Sequence, residues 1–267
     1  MAVAIHVNRQ MFREKLLLGF LTVFAFFAGS TWWLKSWHFG SVAGVFVAEV
    51  GFAMMSLVGA FFAVFITVHT FYCEMEQRTA HVLLTRALSR SEFMLGKWIG
   101  VVVLLGLFFT LAAITLGALF ACDRFAEEAF GSGQGVGLGQ FGLGEVGMVA
   151  GFLWVKSGVL AAYVLGIAAL VHTRTLALVM SFLLWAACQL QSVVLDSFSI
   201  LEATSARGLL TWVSFALPDF QVFDLSDWVI AGSEMTGELA GRILLYGGGY
   251  GALALAVAVG GFHVREL

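Results

Sequence analysis

The sequence predicts an all-α integral membrane protein, with six transmembrane helices in a single domain over residues 1–267 and both ends on the cytoplasmic side (N-in, C-in). Three observations carry that expectation. The 267 residues are 60% hydrophobic and only 12% charged, where a soluble chain carries about 25% charged residues. Mean hydropathy is +0.95, and six blocks approach the roughly 20 apolar residues that cross about 30 Å of hydrocarbon. Lysine and arginine also divide unevenly between the two sides of those blocks. A soluble globular enzyme is excluded on composition alone.

In lipid a spanning backbone must pair its own N–H and C=O groups, so each block is expected to be a helix. The blocks are Leu16–Leu34, Gly44–Tyr72, Trp98–Cys122, Val146–Val171, Thr175–Leu195 and Ile243–Phe262. The start lacks the small-residue cleavage site of a removable leader, so the first block is expected to persist. Residues 2–15 suit a helix lying along the inner surface, although their apolar residues do not separate cleanly from the charges. The second block is long for one crossing, which implies tilt or projection beyond the bilayer. The fourth and fifth are joined by a tight turn at His172-Thr173-Arg174.

Orientation follows from cation placement. The inner side holds Arg9, Arg13, Lys15, Arg78, Arg86, Arg90, Lys97, Arg174 and Arg265, against Lys35, Arg124, Lys156, Arg207 and Arg242 outside. The outer connection 196–240 contains Pro218, the only proline, and stretches such as Leu209–Val213 that are too apolar for a solvated loop. Short re-entrant or interfacial helices buried against the bundle are expected there. Cys73, Cys122 and Cys188 are far apart, implying neither a disulfide framework nor a zinc site.

A polar island separates the second and third blocks. It reads Glu74-Met75-Glu76-Gln77-Arg78-Thr79, then His81 to Arg86, then Ser89-Arg90-Ser91-Glu92, and closes at Gly96-Lys97. Ser89 and Glu92 have the spacing of a capping box, which would start the next helix. Residues 79–85 are long enough for two helical turns offering Val82, Leu83 and Leu84 to a partner. Positive-inside bias accounts for the arginines but not for an apolar helix within the loop.

This order of residues resembles the coupling segment of ABC-2 type transporter permeases. The resemblance rests on Glu74 or Glu76, Arg78-Thr79, Leu83-Leu84, Ser89-Arg90, Glu92-Phe93 and Gly96-Lys97. Weaker similarity covers Arg13-Glu14, Leu217-Pro218 and Arg265-Glu266-Leu267. Ala87 stands where many members have a proline, leaving the turn less rigid. The resemblance implies an ABC-2 type permease fold, with a cytoplasmic coupling helix between helices 2 and 3. It further implies that segment 74–92 docks a separate ATPase subunit through Glu74, Glu76, Arg78, Thr79, His81, Leu83, Leu84, Arg86, Ser89 and Arg90. Arg174, in the turn 172–175, would be a secondary contact. Two such chains, or this one with a similar one, would pair in the cytoplasmic membrane, and no nucleic acid is expected as a partner.

The chain contains no G-x-x-x-x-G-K-[ST] phosphate loop, so ATP and magnesium are expected on the partner and no cofactor on this chain. Gly137-x-Gly139-x-x-Gly142 mimics a dinucleotide fingerprint. It lies in a loop with seven glycines between Gly131 and Gly144, outside any βαβ unit, and reads as linker. His69 and Cys73 are one helical turn apart, but two ligands without a third make a weak metal site.

Glu49 and Lys156 are ionisable residues inside spans, where charge is costly and tends to mark a pathway. They read either as a pathway or gate pair, or as a structural ion pair or interface residues. Gly247-Gly248-Gly249 and Gly251 allow close helix approach, and Trp32, Trp33 and Trp37 suit an outer membrane edge. The function expected is ATP-driven export or transport of an unidentified substrate. The alternatives are an ion-gradient-driven secondary transporter and a membrane assembly or scaffold protein docking a cytosolic partner.

Overall fold

The computed structural model describes residues 22, 24–30, 33, 43–76, 90–130, 142–200, 217–230 and 237–264, and these are almost entirely helical. The helices are α1 (Ala43–Glu76), α2 (Arg90–Phe130), α3 (Leu143–Leu170), α4 (Arg174–Ile200), the short α5 (Ser226–Ile230) and α6 (Gly237–Val264), with a 3-10 turn at Phe220–Phe223. Among the described residues five helices are long and apolar enough to cross a membrane. The first expected span, Leu16–Leu34, falls mostly outside them. Residues 24–30 are helical, and the fully buried Phe27 meets the Phe108 ring edge-on at 6.3 Å.

Helix persists here because the membrane-length segments hold no proline and the chain's lone Pro218 stands outside them. Valine- and glycine-rich runs that would fray in water stay helical where the backbone has no other partner. α1 has 34 residues and α2 has 41, lengths of about 50 and 60 Å at 1.5 Å per residue. Both exceed the hydrocarbon thickness; the long second block suggested this for α1, whereas α2 outruns its expected block at both ends. α2 begins before the apolar run, because a helix needs its hydrogen-bond ladder more than a greasy surface. Its first turn contains Glu92, favourably placed at the positive end of the helix.

α3 opens after Gly142, whose N–H is accepted by the Glu145 carboxylate at 3.0 Å. It ends where Val171 turns extended while still donating to the Ile167 carbonyl. α4 follows at once from Arg174, so the chain reverses within three residues, at the turn the sequence suggested.

The helices alternate in direction. At one end the Tyr72 hydroxyl of α1 donates to the Val171 carbonyl at 2.8 Å, and Phe71, Phe93 and Phe262 of α1, α2 and α6 meet. At the other end Phe52 of α1 lies edge-on to Phe120 of α2. α3 is the hub, packing against α1, α2, α4, α5, α6 and the 3-10 turn. Its spanning stretch is 72% buried, against 17% for α4, which turns Leu176, Val179, Leu183 and Leu190 outward. A face of that kind suits lipid.

Two indoles stitch α2 to α3 reciprocally. Trp98 Nε1 donates to the Gly158 carbonyl at 3.0 Å, and Trp154 Nε1 to the Val102 carbonyl at 2.9 Å. Such bonds add modestly to helix association in lipid, about 0.6 kcal/mol each. Gly59 brings α1 onto α2, since a Cβ there would run into the Phe109 ring.

Candidate functional site

The centre of α3 carries a lysine with almost no exposure. Lys156 is 4% exposed and lies thirteen residues from the start of α3, about 20 Å along its axis. Its Nζ donates to Ser56 Oγ of α1 at 3.2 Å and stands 5.9 Å from the centre of the Phe220 ring, within cation–π range. Lys156 makes no ion pair with Asp219 or Asp224 among the described residues. An ammonium this deep is costly unless the surroundings supply negative potential. Here a hydroxyl and a ring face lie against it.

Phe220, Asp219 and Asp224 reach this depth because the segment 217–230 folds inward. Asp219 caps the 3-10 turn, its Oδ1 accepting from the Gln221 N–H at 2.9 Å. Asp224 Oδ1 accepts from the Ser226 hydroxyl at 2.9 Å, opening α5. The Asp219 N–H donates to the Tyr246 hydroxyl of α6 at 2.8 Å. Phe220 and Phe223 are fully buried and Leu225 nearly so. Phe223 seats against α6 at Gly247, where a Cβ would come within 2.9 Å of the ring and 3.2 Å of Val155 Cγ1. The segment thus fills the space between α3, α4 and α6 with aromatic rings and holds itself there by backbone caps.

Of the two ionisable residues singled out inside spans, only Lys156 lies in this cluster. Glu49 is exposed on α1, seven residues before Ser56, and Lys156 turns to Ser56 rather than to it. The expected glycine contacts also divide. Gly247 and Gly251 face Phe223 and Val159, whereas nothing lies within 4 Å of a Cβ at Gly248 or Gly249.

The described residues reach the polar island at its two edges: Glu74 and Glu76 lie in the last turns of α1, and Arg90 is the first residue of α2. Arg78, Thr79, His81, Leu83, Leu84, Arg86 and Ser89 lie outside the described residues. His172 and Arg174 are exposed at the same end of the bundle, where Tyr72 binds Val171.

A second lysine is enclosed near that end. Lys97 is 0% exposed, its Nζ lying 5.0 Å from the Phe93 ring centre and 5.6 Å from that of Phe71. Phe262 stacks on Phe93 at 5.8 Å and completes the aromatic wall. The sequence showed Lys97 only as the close of the polar island on the inner side; the fold encloses it among these rings.

Sequence reasoning missed Ser56, Asp219, Asp224 and Tyr246. One signal was available: acids flanking the only proline inside an otherwise apolar connection. Among the described residues no three histidine, cysteine or carboxylate side chains gather as a metal site. No protein-family model matches the chain, and no curated protein matches it.

Proposed function

We propose that this chain is the membrane-spanning permease subunit of an ABC-type transporter in the cytoplasmic membrane. A separate ATPase would dock on segment 74–92, and two permease subunits would pair. The observation that carries the reading is the way α1 and α2, two over-long helices, end at Glu76 and begin at Arg90. The polar island between them is thereby mounted on helices that continue into the bundle core. Together with the residue order at Glu74–Lys97, this supports a docking segment that moves helices. A partner shifts such an equilibrium only by binding one state better than the other.

Purification of the tagged full-length chain from its native membrane in mild detergent tests the reading. A co-purifying ATPase is expected with wild type and should be lost with Arg78→Glu, Leu83→Asp. Absence of an ATPase, under conditions that keep a dimer intact, would sink it.

A second reading, gradient-driven transport, is favoured by one observation. The acid-bearing segment 217–230, a 3-10 turn and a short helix, meets a lysine deep in the bundle through Phe220, a pattern suited to ion coupling. Uptake or export in proteoliposomes separates the two, since one needs the ATPase and the other collapses with an ionophore.

A further inference from the structure

We infer that the groove between α2 and α6 is the seat of one acyl chain of a membrane phospholipid, held as a resident part of the bundle rather than as exchanging bilayer solvent. The groove is the same whether an ATPase, an ion gradient or neither drives the bundle.

α3 forms its floor. α2 contributes Trp98 and Val102 to one wall, and α6 supplies the other from Leu244 to Leu255. The two walls touch beyond one end of the groove, where Phe93 stacks on Phe262. Between them the space stays open because α6 presents Gly248, Gly251 and Ala252 there. A Cβ at Gly248 would meet nothing within 4 Å.

The lining offers nothing to a polar guest. Among its side chains only the two indoles carry a polar atom, and both already donate across the helix seam, Trp98 to the Gly158 carbonyl and Trp154 to that of Val102. A water molecule needs 2–4 polar partners to settle in a cavity, so the groove is dry. Every lining residue lies on a membrane-length helix, at a depth where lipid tails are the solvent.

Size decides among apolar guests. The groove has a volume of about 440 Å³, and Leu244 to Leu255 covers about 16 Å of helix, so its mean section is about 27 Å², a passage roughly 6 Å wide. An α-helix with its side chains measures about 10–12 Å across. A helix from a second copy can rest on the rim but cannot lie inside. A polymethylene chain is one carbon thick and meets its neighbours at about 3.5–4.0 Å between carbon centres, which fits the passage. The described part of the first expected span is engaged elsewhere: Phe27 packs on Phe108, on the side of α2 where Phe62 of α1 meets the same ring. A chain in the groove touches protein on three sides, whereas one lying on the outward Leu176, Val179 and Leu183 of α4 touches it on one. Dispersion contacts accumulate with each added side, and that difference makes the guest resident.

The full-length protein in nanodiscs is loaded with a phosphatidylethanolamine bearing a diazirine in mid-chain and irradiated, and cross-linked peptides are mapped by mass spectrometry. Cross-links on residues 154–159 and 244–255 are expected to exceed those on residues 176–190 of α4 several-fold. Gly248→Leu fills the groove and should bring its labelling down to the α4 level. Gly249→Leu, one residue on and outside the lining, should leave it unchanged. Labelling of α4 should be the same in all three proteins, which separates loss of the guest from loss of the fold.

Groove labelling no stronger than that of α4 in wild type would overturn the proposal, since the lipid there would be ordinary solvent. Undiminished labelling in Gly248→Leu, or equal loss in Gly249→Leu, would do the same. Two further results would reassign the groove and so overturn it. One is labelling by a diazirine-bearing free fatty acid where the phospholipid gives none. The other is a wild-type dimer in native mass spectrometry that Gly248→Leu, but not Gly249→Leu, turns into monomer, which would give the face to a second copy.

Discussion

Lys97 and Lys156 are both enclosed by this bundle, but their surroundings are built from different kinds of element. The walls around Lys97 are Phe71, Phe93 and Phe262, each fixed on a membrane-length helix. Those around Lys156 include Phe220, on a segment with under two turns of regular structure at a stretch. The first cage cannot open without separating α1, α2 and α6. The second is closed on one side by a short segment that makes few turns of its own, so its integrity depends on how that segment packs.

The largest expected contrast comes from the rings. Phe93→Ala and Phe220→Ala each delete a fully buried aromatic, a change worth about 3–5 kcal/mol. Thermal unfolding in detergent should show Phe93→Ala lowering the melting temperature of the whole bundle. Phe220→Ala should instead increase local proteolysis near 217–230 with a smaller shift in melting, because that segment opens below the global threshold. Equal melting shifts and no difference in proteolysis would erase the distinction.

Next come the glycines beneath segment 217–230. Gly247→Ala pushes a methyl into Phe223 and Val155, costing about 1–3 kcal/mol by overpacking, whereas Gly248→Ala meets nothing and should gain up to about 1 kcal/mol from helix propensity. Opposite signs in unfolding midpoints are expected. Lys97 itself follows. Lys97→Met exchanges a cation–π contribution of about 0.5–2 kcal/mol for relief of desolvation, so stability should move by no more than about 1 kcal/mol. The smallest effect belongs to Tyr72→Phe, which removes one interhelical hydrogen bond worth about 0.6 kcal/mol in a membrane protein.

The membrane-length helices were legible in the sequence because each is a continuous apolar run, and their ends were legible to within a few residues wherever a turn such as His172-Thr173 intervened. α2 was longer than its greasy part, since Glu92 and Lys97 continue a helix that hydropathy cannot see. Leu209–Val213, the residues whose apolarity suggested a buried outer connection, lie outside the described residues; the described part, 217–230, packs against the bundle. Its chemistry was not legible, because the meeting of Lys156 with Ser56 spans a hundred positions and the approach of Asp219 to Tyr246 needs α6 to return beside α3. Glu49 and Lys156 looked equivalent as charges in apolar runs. Periodicity alone did not establish that one faces outward while the other faces the core. The polar island, read from residue types, lies mostly outside the described residues, so its interpretation rests on sequence and on the helix ends that flank it.

The hydroxyl of Tyr72 has a mechanical meaning. It fastens the last turns of α1, next to Glu74 and Glu76, to the end of α3 at Val171. From that knot α3 runs back fifteen residues to Lys156 without interruption, a strut about 22 Å long. The polar end of α1 and the buried lysine are thus joined by one hydrogen bond and one unbroken helix, with no turn between them.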